Sequence, residues 1–338
     1  MNQNVEIFDL KDKNQYRTAS NYDLIAMVKA RGYHQLFIPK HILESLVYGF
    51  TDKEFIHLSG ETGTAKSSLI LTLANEPENM RLLCKYLGLV FKPLFLFEIE
   101  MCLFETPGEL TQNKVLKDGN TYLEDSILVS ALRVAPSKSE FYYPVIYLKE
   151  MGRVHTSAVQ GGLLNLISTS DITLPDQSRI PGGHASIITD SNYCAMEDAT
   201  HTLVVQDEAL KRRTPLNLML NTLTASEEQK IMESLVQNMG LQLDVPVIRK
   251  IIRIGSMVRQ NRKEGNLLSL SPPTIFGYLA AYKMKMKLPH MELAIVLSNT
   301  LLGNATRDDR KIVDSLLQSL NDERVFTGRR STFTDDVI

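Results

Sequence analysis

The chain has 338 residues, 37 lysines and arginines against 39 aspartates and glutamates, and a formal net charge of -2. That length supports a substantial core and two domains, or one large domain with an appendage. A composition of 43% hydrophobic and 22% charged residues excludes wholesale disorder, and the near balance of charge supplies no global basic field, so nucleic acid is not indicated as a partner.

The local patch Lys283-Met284-Lys285-Met286-Lys287 reads as a solvated helix face. Cys84, Cys102 and Cys194 are odd in number and far apart, which fits a reducing compartment, and the seven histidines form no metal-ligand spacing. No segment sustains the roughly 18 apolar residues of a membrane span, so no membrane partner is expected and the expected location is the cytoplasm.

Along the chain, residues 1–20 are polar and aperiodic and read as an N-terminal arm. A helical pattern is expected near Ile25 to Ala30, and another in "PKHILESLVYGF", where Pro39 suits a helix start. A strand from Glu54 to Leu58 then leads into "GETGTAKSS" and the helical "KSSLILTLANE". Further strands are expected at 93–100 ("PLFLFEIE"), 144–150 ("PVIYLKE") and 184–192 ("HASIITDSN"), with helices in "EDSILVSALRVA" and "TSAVQGGLLNLIS" between them. Strands alternating with helices predict an α/β domain over 21–221 with a largely parallel sheet covered on both faces. From 222 to 325 the pattern is helical throughout, which predicts a smaller all-helical domain, and 326–338 read as a polar tail.

Three stretches carry chemistry. In "GETGTAKSS" (Gly60, Glu61, Thr62, Gly63, Thr64, Ala65, Lys66, Ser67, Ser68) the order strand, glycine turn, Lys-Ser, helix is that of a phosphate loop. Its backbone N–H groups converge on phosphates, Lys66 reaches the β and γ oxygens, and the Ser67 hydroxyl is the metal ligand. Ala65 stands where the last glycine is usual; if the position needs positive φ, the Cβ costs about 1–2 kcal/mol.

In "VIYLKE", four apolar residues are followed by Lys149 and Glu150. Many P-loop ATPases end the strand beside the loop with an Asp that orders magnesium and a Glu that polarises the attacking water. Glu150 fills the second role, and Lys149 replaces the first. An ammonium about 4 Å from a divalent ion would be repelled by roughly 8 kcal/mol at an effective dielectric near 20, so Lys149 must turn away, displace the metal or itself meet phosphate. The third stretch ends a strand in Ser191-Asn192, where an amide can orient water or the γ-phosphate. It continues to Arg212-Arg213, either of which suits an arginine finger offered to a neighbouring subunit.

In this order these residues resemble the AAA+ ATPases, and within them the MoxR-like branch, from about Gln35 to Tyr282. "GETGTAKSS" looks like Walker A, and "VIYLKEMGRVHTSAVQGGLLNLIS" like Walker B and its following turn and helix. "ITLPDQSRIPGGHASIITDSN" is similar to the hairpin that leads into the sensor 1 strand, with sensor 1 on Asn192. "DEALKRRT" matches the finger segment, with the finger on Arg213 and Arg212 as the second candidate, and "LSPPTIFGYLAAY" the lid motif, with Pro273 at the sensor 2 arginine.

The resemblance implies an AAA+ P-loop fold with a helical lid, and ATP with Mg2+ at the interfaces of an oligomeric ring, usually a hexamer. The ring is built from this chain alone or with a related subunit. It also implies remodelling of a protein client, often one carrying a von Willebrand A domain. Ala65, Lys149 and Pro273 all depart from the pattern at the nucleotide. Two readings therefore stand: an ATPase that remodels a client, or a pseudo-ATPase that binds nucleotide only to assemble as a structural or regulatory subunit. A small-molecule kinase would share the loop but leave the helical domain and the Arg213 segment without a role.

Overall fold

The structure is a computed structural model and describes residues 5–28, 35–61, 63–154, 156–192, 208–267, 270–307 and 309–320. It divides into two compact units, Met1–Thr222 and Leu223–Ile338.

In the first unit, β1 (Ile7–Asp9), α1 (Lys13–Thr18), β2 (Leu24–Val28) and β3 (Gln35–Pro39) precede α2 (Lys40–Asp52). Next come β4 (Phe55–Gly60), α3 (Lys66–Asn75), α4 (Pro77–Leu87) and β5 (Leu94–Glu100), followed by the hairpin β6 (Gln112–Lys117) and β7 (Asn120–Asp125). The unit continues through α5 (Ile127–Lys138), β8 (Tyr143–Lys149), α6 (Ser157–Gly162), α7 (Leu164–Thr169) and the hairpin β9 (Asp171–Thr173) and β10 (Arg179–Pro181). It ends with β11 (Ser186–Asn192), α8 (Glu208–Arg213) and β12 (Leu216–Met219).

Five of these strands form one sheet in the order β12-β4-β11-β8-β5, every pair parallel. Helices bury both of its faces, which is why its inner strands read as unbroken apolar runs: all of β8 except Lys149 is buried. Alternation along the strands sorts the side chains. Ile56, Leu58, Val145, Tyr147 and Ile188 join the core with α2, α3 and α4. Phe55, Ile146, Leu148 and Ile187 face α5 and α7. This is the parallel sheet covered on both faces anticipated for the first domain.

Strand order corrects one expectation, because the strand ending in Lys149-Glu150 does not lie beside the loop strand. β11 is inserted between β4 and β8, with Leu58 opposite Asp190 and Gly60 opposite Asn192, while Thr189 pairs with Leu148 on the other side. Two further expectations change near the N-terminus. Residues 7–18 form a strand and a helix rather than an aperiodic arm, and β1 pairs in parallel with β2. The helix expected near Ile25 is β2, paired antiparallel with β3. Five consecutive apolar residues carry no periodicity that separates a buried strand from a helix; β2 is buried through Met27 and completes a three-stranded sheet.

The second unit contains α9 (Ala225–Asn238), α10 (Val245–Lys263), α11 (Ile275–Lys287), α12 (Leu293–Thr300) and α13 (Arg310–Gln318) around one apolar core. A capping box between Thr224 and Glu227 starts α9 and satisfies amides that a helix N-terminus otherwise leaves open. Inside the bundle Arg259 donates to both Glu228 carboxylate oxygens at 2.7 Å and to the Tyr278 hydroxyl at 2.9 Å. Tyr278 reaches that pair because Gly255 has no side chain: a Cβ there would lie 2.0 Å from its hydroxyl. No helix among the described residues is long and apolar enough to cross a membrane.

Candidate functional site

Gly60 ends β4 and opens the loop. A Cβ at this position would stand 2.3 Å from the Leu220 carbonyl oxygen and 2.8 Å from Thr64 Oγ1, so the residue after β12 and the loop itself require glycine there. Gly63 (φ 88) and Ala65 (φ 68, ψ 20) are both left-handed. The glycine position that Ala65 occupies therefore does need positive φ, and the strain of about 1–2 kcal/mol applies. The loop still closes: Thr64 donates its hydroxyl to the Glu61 carbonyl at 2.9 Å, and the Leu69 amide reaches the Ala65 carbonyl at 2.8 Å as α3 begins.

Lys66 lies at the first turn of α3, 7% exposed, with its Nζ donating to the Gly60 and Glu61 carbonyls at 2.8 and 2.9 Å. Burial holds its ammonium below the usual lysine range, while the charges of Asp190, Glu150 and Glu61 pull the other way. An anion entering the loop would restore what burial removes, since a nearby negative charge favours the ammonium. Ser67 and Ser68 follow on the same turn, both partly buried. Thr62 lies outside the described residues.

The end of β8 turns Lys149 away from the loop. Its Nζ donates to Glu100 Oε1 at 2.5 Å and lies 3.5 Å from Glu98 Oε2, both on β5. The hydrogen bond to Glu100, opposed in part by burial, raises its pKa above the usual lysine value. Of the three outcomes open to Lys149, turning away is the one adopted, and the repulsion of a metal ion does not arise. Glu150 has left-handed backbone (φ 59, ψ 51), and its Oε2 stands 3.3 Å from Arg153 Nη1.

Asp190 went unrecognised in the sequence. It is 3% exposed, on the β11 face that carries α3. Its Oδ2 accepts from the Tyr147 hydroxyl at 2.5 Å and from Ser67 Oγ at 3.4 Å, and its Oδ1 accepts from the Glu150 amide at 2.5 Å. Tyr147 also donates toward Ser67 Oγ at 3.1 Å. Burial, reinforced by the Asp190 charge, drives its phenol pKa far upward, so the hydroxyl is a proton donor at every working pH. One carboxylate on the middle strand thus links Ser67, Tyr147 of β8 and the Glu150 turn. The signal was present as an acid closing the apolar run "SIITD", because buried carboxylates need partners or a cation.

Asn192 ends β11, level with Gly60 and partly buried. Arg212 and Arg213 close α8, both exposed. Pro273, which the resemblance matches to the sensor 2 arginine, offers Arg259 its carbonyl at 3.5 Å. The loop, Lys66, Ser67, Glu150 and Asn192 are brought to the C-terminal edge of the sheet, the usual ligand edge of α/β folds.

A nucleotide in this loop implies magnesium, and the donor set fits it. Ser67 and Asp190 offer hard oxygen atoms side by side, and magnesium commonly takes one or two protein groups plus phosphates. Among the described residues no group of three or more His, Cys, Asp or Glu forms an all-protein cage.

No protein-family model matches the chain, and no curated protein matches its sequence. Solved structures similar to it include a protein from Cytophaga hutchinsonii provisionally described as an ATPase, at 14% identity over 82% of this chain and 88% of that one, with a TM-score of 0.38. RuvB of Thermotoga maritima, in a point-mutant form, is 13% identical over 83% of this chain and 76% of that one, with a TM-score of 0.44. The same organism's RuvB Holliday junction branch migration motor matches at 13% identity over 83% and 68%, with a TM-score of 0.41. The chain's own strand order and loop define its class: an α/β fold of P-loop type, a parallel five-stranded sheet whose glycine loop leads from β4 into the N-terminus of α3.

Proposed function

We propose that the chain is an AAA+ ATPase of MoxR-like character that binds ATP with Mg2+ in the loop 60–68 and works as a cytoplasmic oligomeric ring on a protein client. The observation that carries this reading is the loop itself. Lys66 bridges two loop carbonyls at the N-terminus of α3, with Ser67 beside a buried carboxylate. Backbone amides and the helix terminus favour phosphate there, and Lys66 can exchange its carbonyl partners for phosphate oxygens. Magnesium supplies neutralisation of charge on the β and γ oxygens.

Glu150 is the candidate general base, and Asn192 the group that orients water. Arg213, or Arg212, is exposed and free to complete a neighbour's site in a hexameric or mixed ring. A client with a von Willebrand A domain follows from the resemblance alone.

One observation favours the second reading, a pseudo-ATPase that binds nucleotide for assembly. Glu150 Oε2 is engaged by Arg153 at 3.3 Å, and a carboxylate oxygen held by a guanidinium must part from it before it can accept from an attacking water. Phosphate release measured across protein concentration, with Glu150→Gln as control, separates the two. The ATPase reading expects turnover that rises as the protein oligomerises and disappears in the variant; tight ATP binding with no turnover selects the pseudo-ATPase, and no ATP binding removes both.

A further inference from the structure

The metal-ordering carboxylate of a P-loop ATPase must stand against the loop's serine or threonine hydroxyl. Position 149 cannot supply it, because its side chain is a lysine bound to β5 through Glu98 and Glu100. Position 190 meets the geometric requirement from the adjacent strand. Sheet order places β11 directly beside β4, and alternation turns Asp190 to the same face as Tyr147 and α3. Its carboxylate reaches Ser67 Oγ.

Among the described residues three donors meet Asp190, the Tyr147 hydroxyl, the Ser67 hydroxyl and the Glu150 amide, and all are neutral. An ionised carboxylate has about four acceptor sites, and a buried one is normally balanced by a cation. The Lys66 ammonium feels that charge, and a divalent ion on a nucleotide would take up the acceptor capacity that the neutral donors leave open.

We propose that Asp190, near the end of β11, performs the metal-ordering role usual for the residue at position 149, so that Ser67 and Asp190 together hold the nucleotide's magnesium and Lys149 takes no part. The proposal rests on the loop being a nucleotide site. Asp190 also positions Glu150, whose left-handed turn it fastens through the amide. A purely structural Asp190 would do only the second of these things. The two roles separate in Asp190→Asn, which keeps the size of the side chain and an acceptor for Tyr147 while removing the charge.

The test is a titration of Mn2+ into the full chain with ADP bound, read by electron paramagnetic resonance, beside ADP affinity in EDTA. Asp190→Asn should weaken Mn2+ at least about tenfold, as loss of metal-orienting groups does. In EDTA its ADP affinity should hold or rise, because a negative charge near the phosphates has gone. Damage to the fold would weaken both. Lys149→Met should change Mn2+ affinity by less than about twofold, as expected for a partly exposed ion pair.

Unchanged Mn2+ affinity in Asp190→Asn, or loss of it in Lys149→Met, overturns the proposal while ADP binding still supports the nucleotide site. A parent chain that binds no ADP in either condition overturns both readings. Should Asp190→Asn not fold, the parent labelled with 13C-carboxyl aspartate is measured by pulsed resonance as the Mn2+·ADP complex. Carbon coupling to Mn2+ is then expected, and its absence overturns the proposal.

Discussion

Two neighbouring strand ends, those of β8 and β11, face the same edge of the sheet and have exchanged their charges. β8 closes with Lys149, whose ammonium is drawn outward to Glu98 and Glu100 on the edge strand β5. Two residues before its end β11 carries Asp190, whose carboxylate is drawn inward to Ser67, Tyr147 and the Glu150 amide. The difference in burial follows from sheet order. β11 is flanked by β4 and β8, so an acid on its loop-side face is enclosed, whereas the partners of Lys149 on β5 are roughly two-fifths exposed. A charge at the β11 end therefore acts at low effective dielectric on Lys66 and on anything bound by the loop. The charges at the β8 end, one ammonium and two partly exposed carboxylates, are screened by solvent.

Lys66→Met attacks the inward-facing side of this comparison and has the largest expected effect. It removes the cation that faces both phosphate and Asp190, and ATP affinity measured by calorimetry should fall by about 100-fold or more, the scale of one or two charge-assisted hydrogen bonds. An affinity within threefold of the parent (roughly 0.65 kcal/mol) would place the nucleotide elsewhere.

Tyr147→Phe cuts the hydroxyl that joins β8 to Asp190 and Ser67. Urea denaturation should show a loss of about 1–2 kcal/mol, since a buried acceptor loses its donor. A neutral result would mean that water or another group takes over the bond.

Ala65→Gly relieves the left-handed strain but loosens the unfolded chain. The two terms, about 1–2 and 0.4–1 kcal/mol, leave a net gain of about 0.5–1 kcal/mol by the same assay. Destabilisation would contradict the left-handed backbone at 65. On the outward-facing side, Glu100→Gln should shift stability by less than about 0.5 kcal/mol, because partly exposed ion pairs contribute little. A larger loss would make the β8 end more than a screened surface pair.

The loop was legible in the sequence because all its information is local: a strand, glycines with special backbone angles, Lys-Ser and an apolar helix within some twenty residues. The strands at 94–100, 143–149 and 186–192 were legible for the same reason, as short apolar runs between turn residues. Asp190 was not, because reasoning along one strand assumes that the carboxylate at the end of β8 is the one nearest the loop. The insertion of β11 between β4 and β8 is a pairing of distant segments that no spacing along the chain encodes.

The exposed hairpin β6–β7 was missed for a different reason. Its signal was present in Asp118-Gly119, both left-handed as a two-residue hairpin turn requires, but strands exposed at nearly every position show no apolar pattern to find. Leu24 to Val28 failed in the opposite direction, being apolar throughout and so without a period.

The central claim is that the carboxylate of the nucleotide site has moved from β8 to β11. Crystals of the full chain grown with ADP and Mn2+, with anomalous scattering collected at the manganese edge, test it most directly. The account predicts a manganese peak beside Ser67 and Asp190, with Lys149 still paired to β5. A peak between Glu98 and Glu100, with Asp190 remote from the metal, would contradict it.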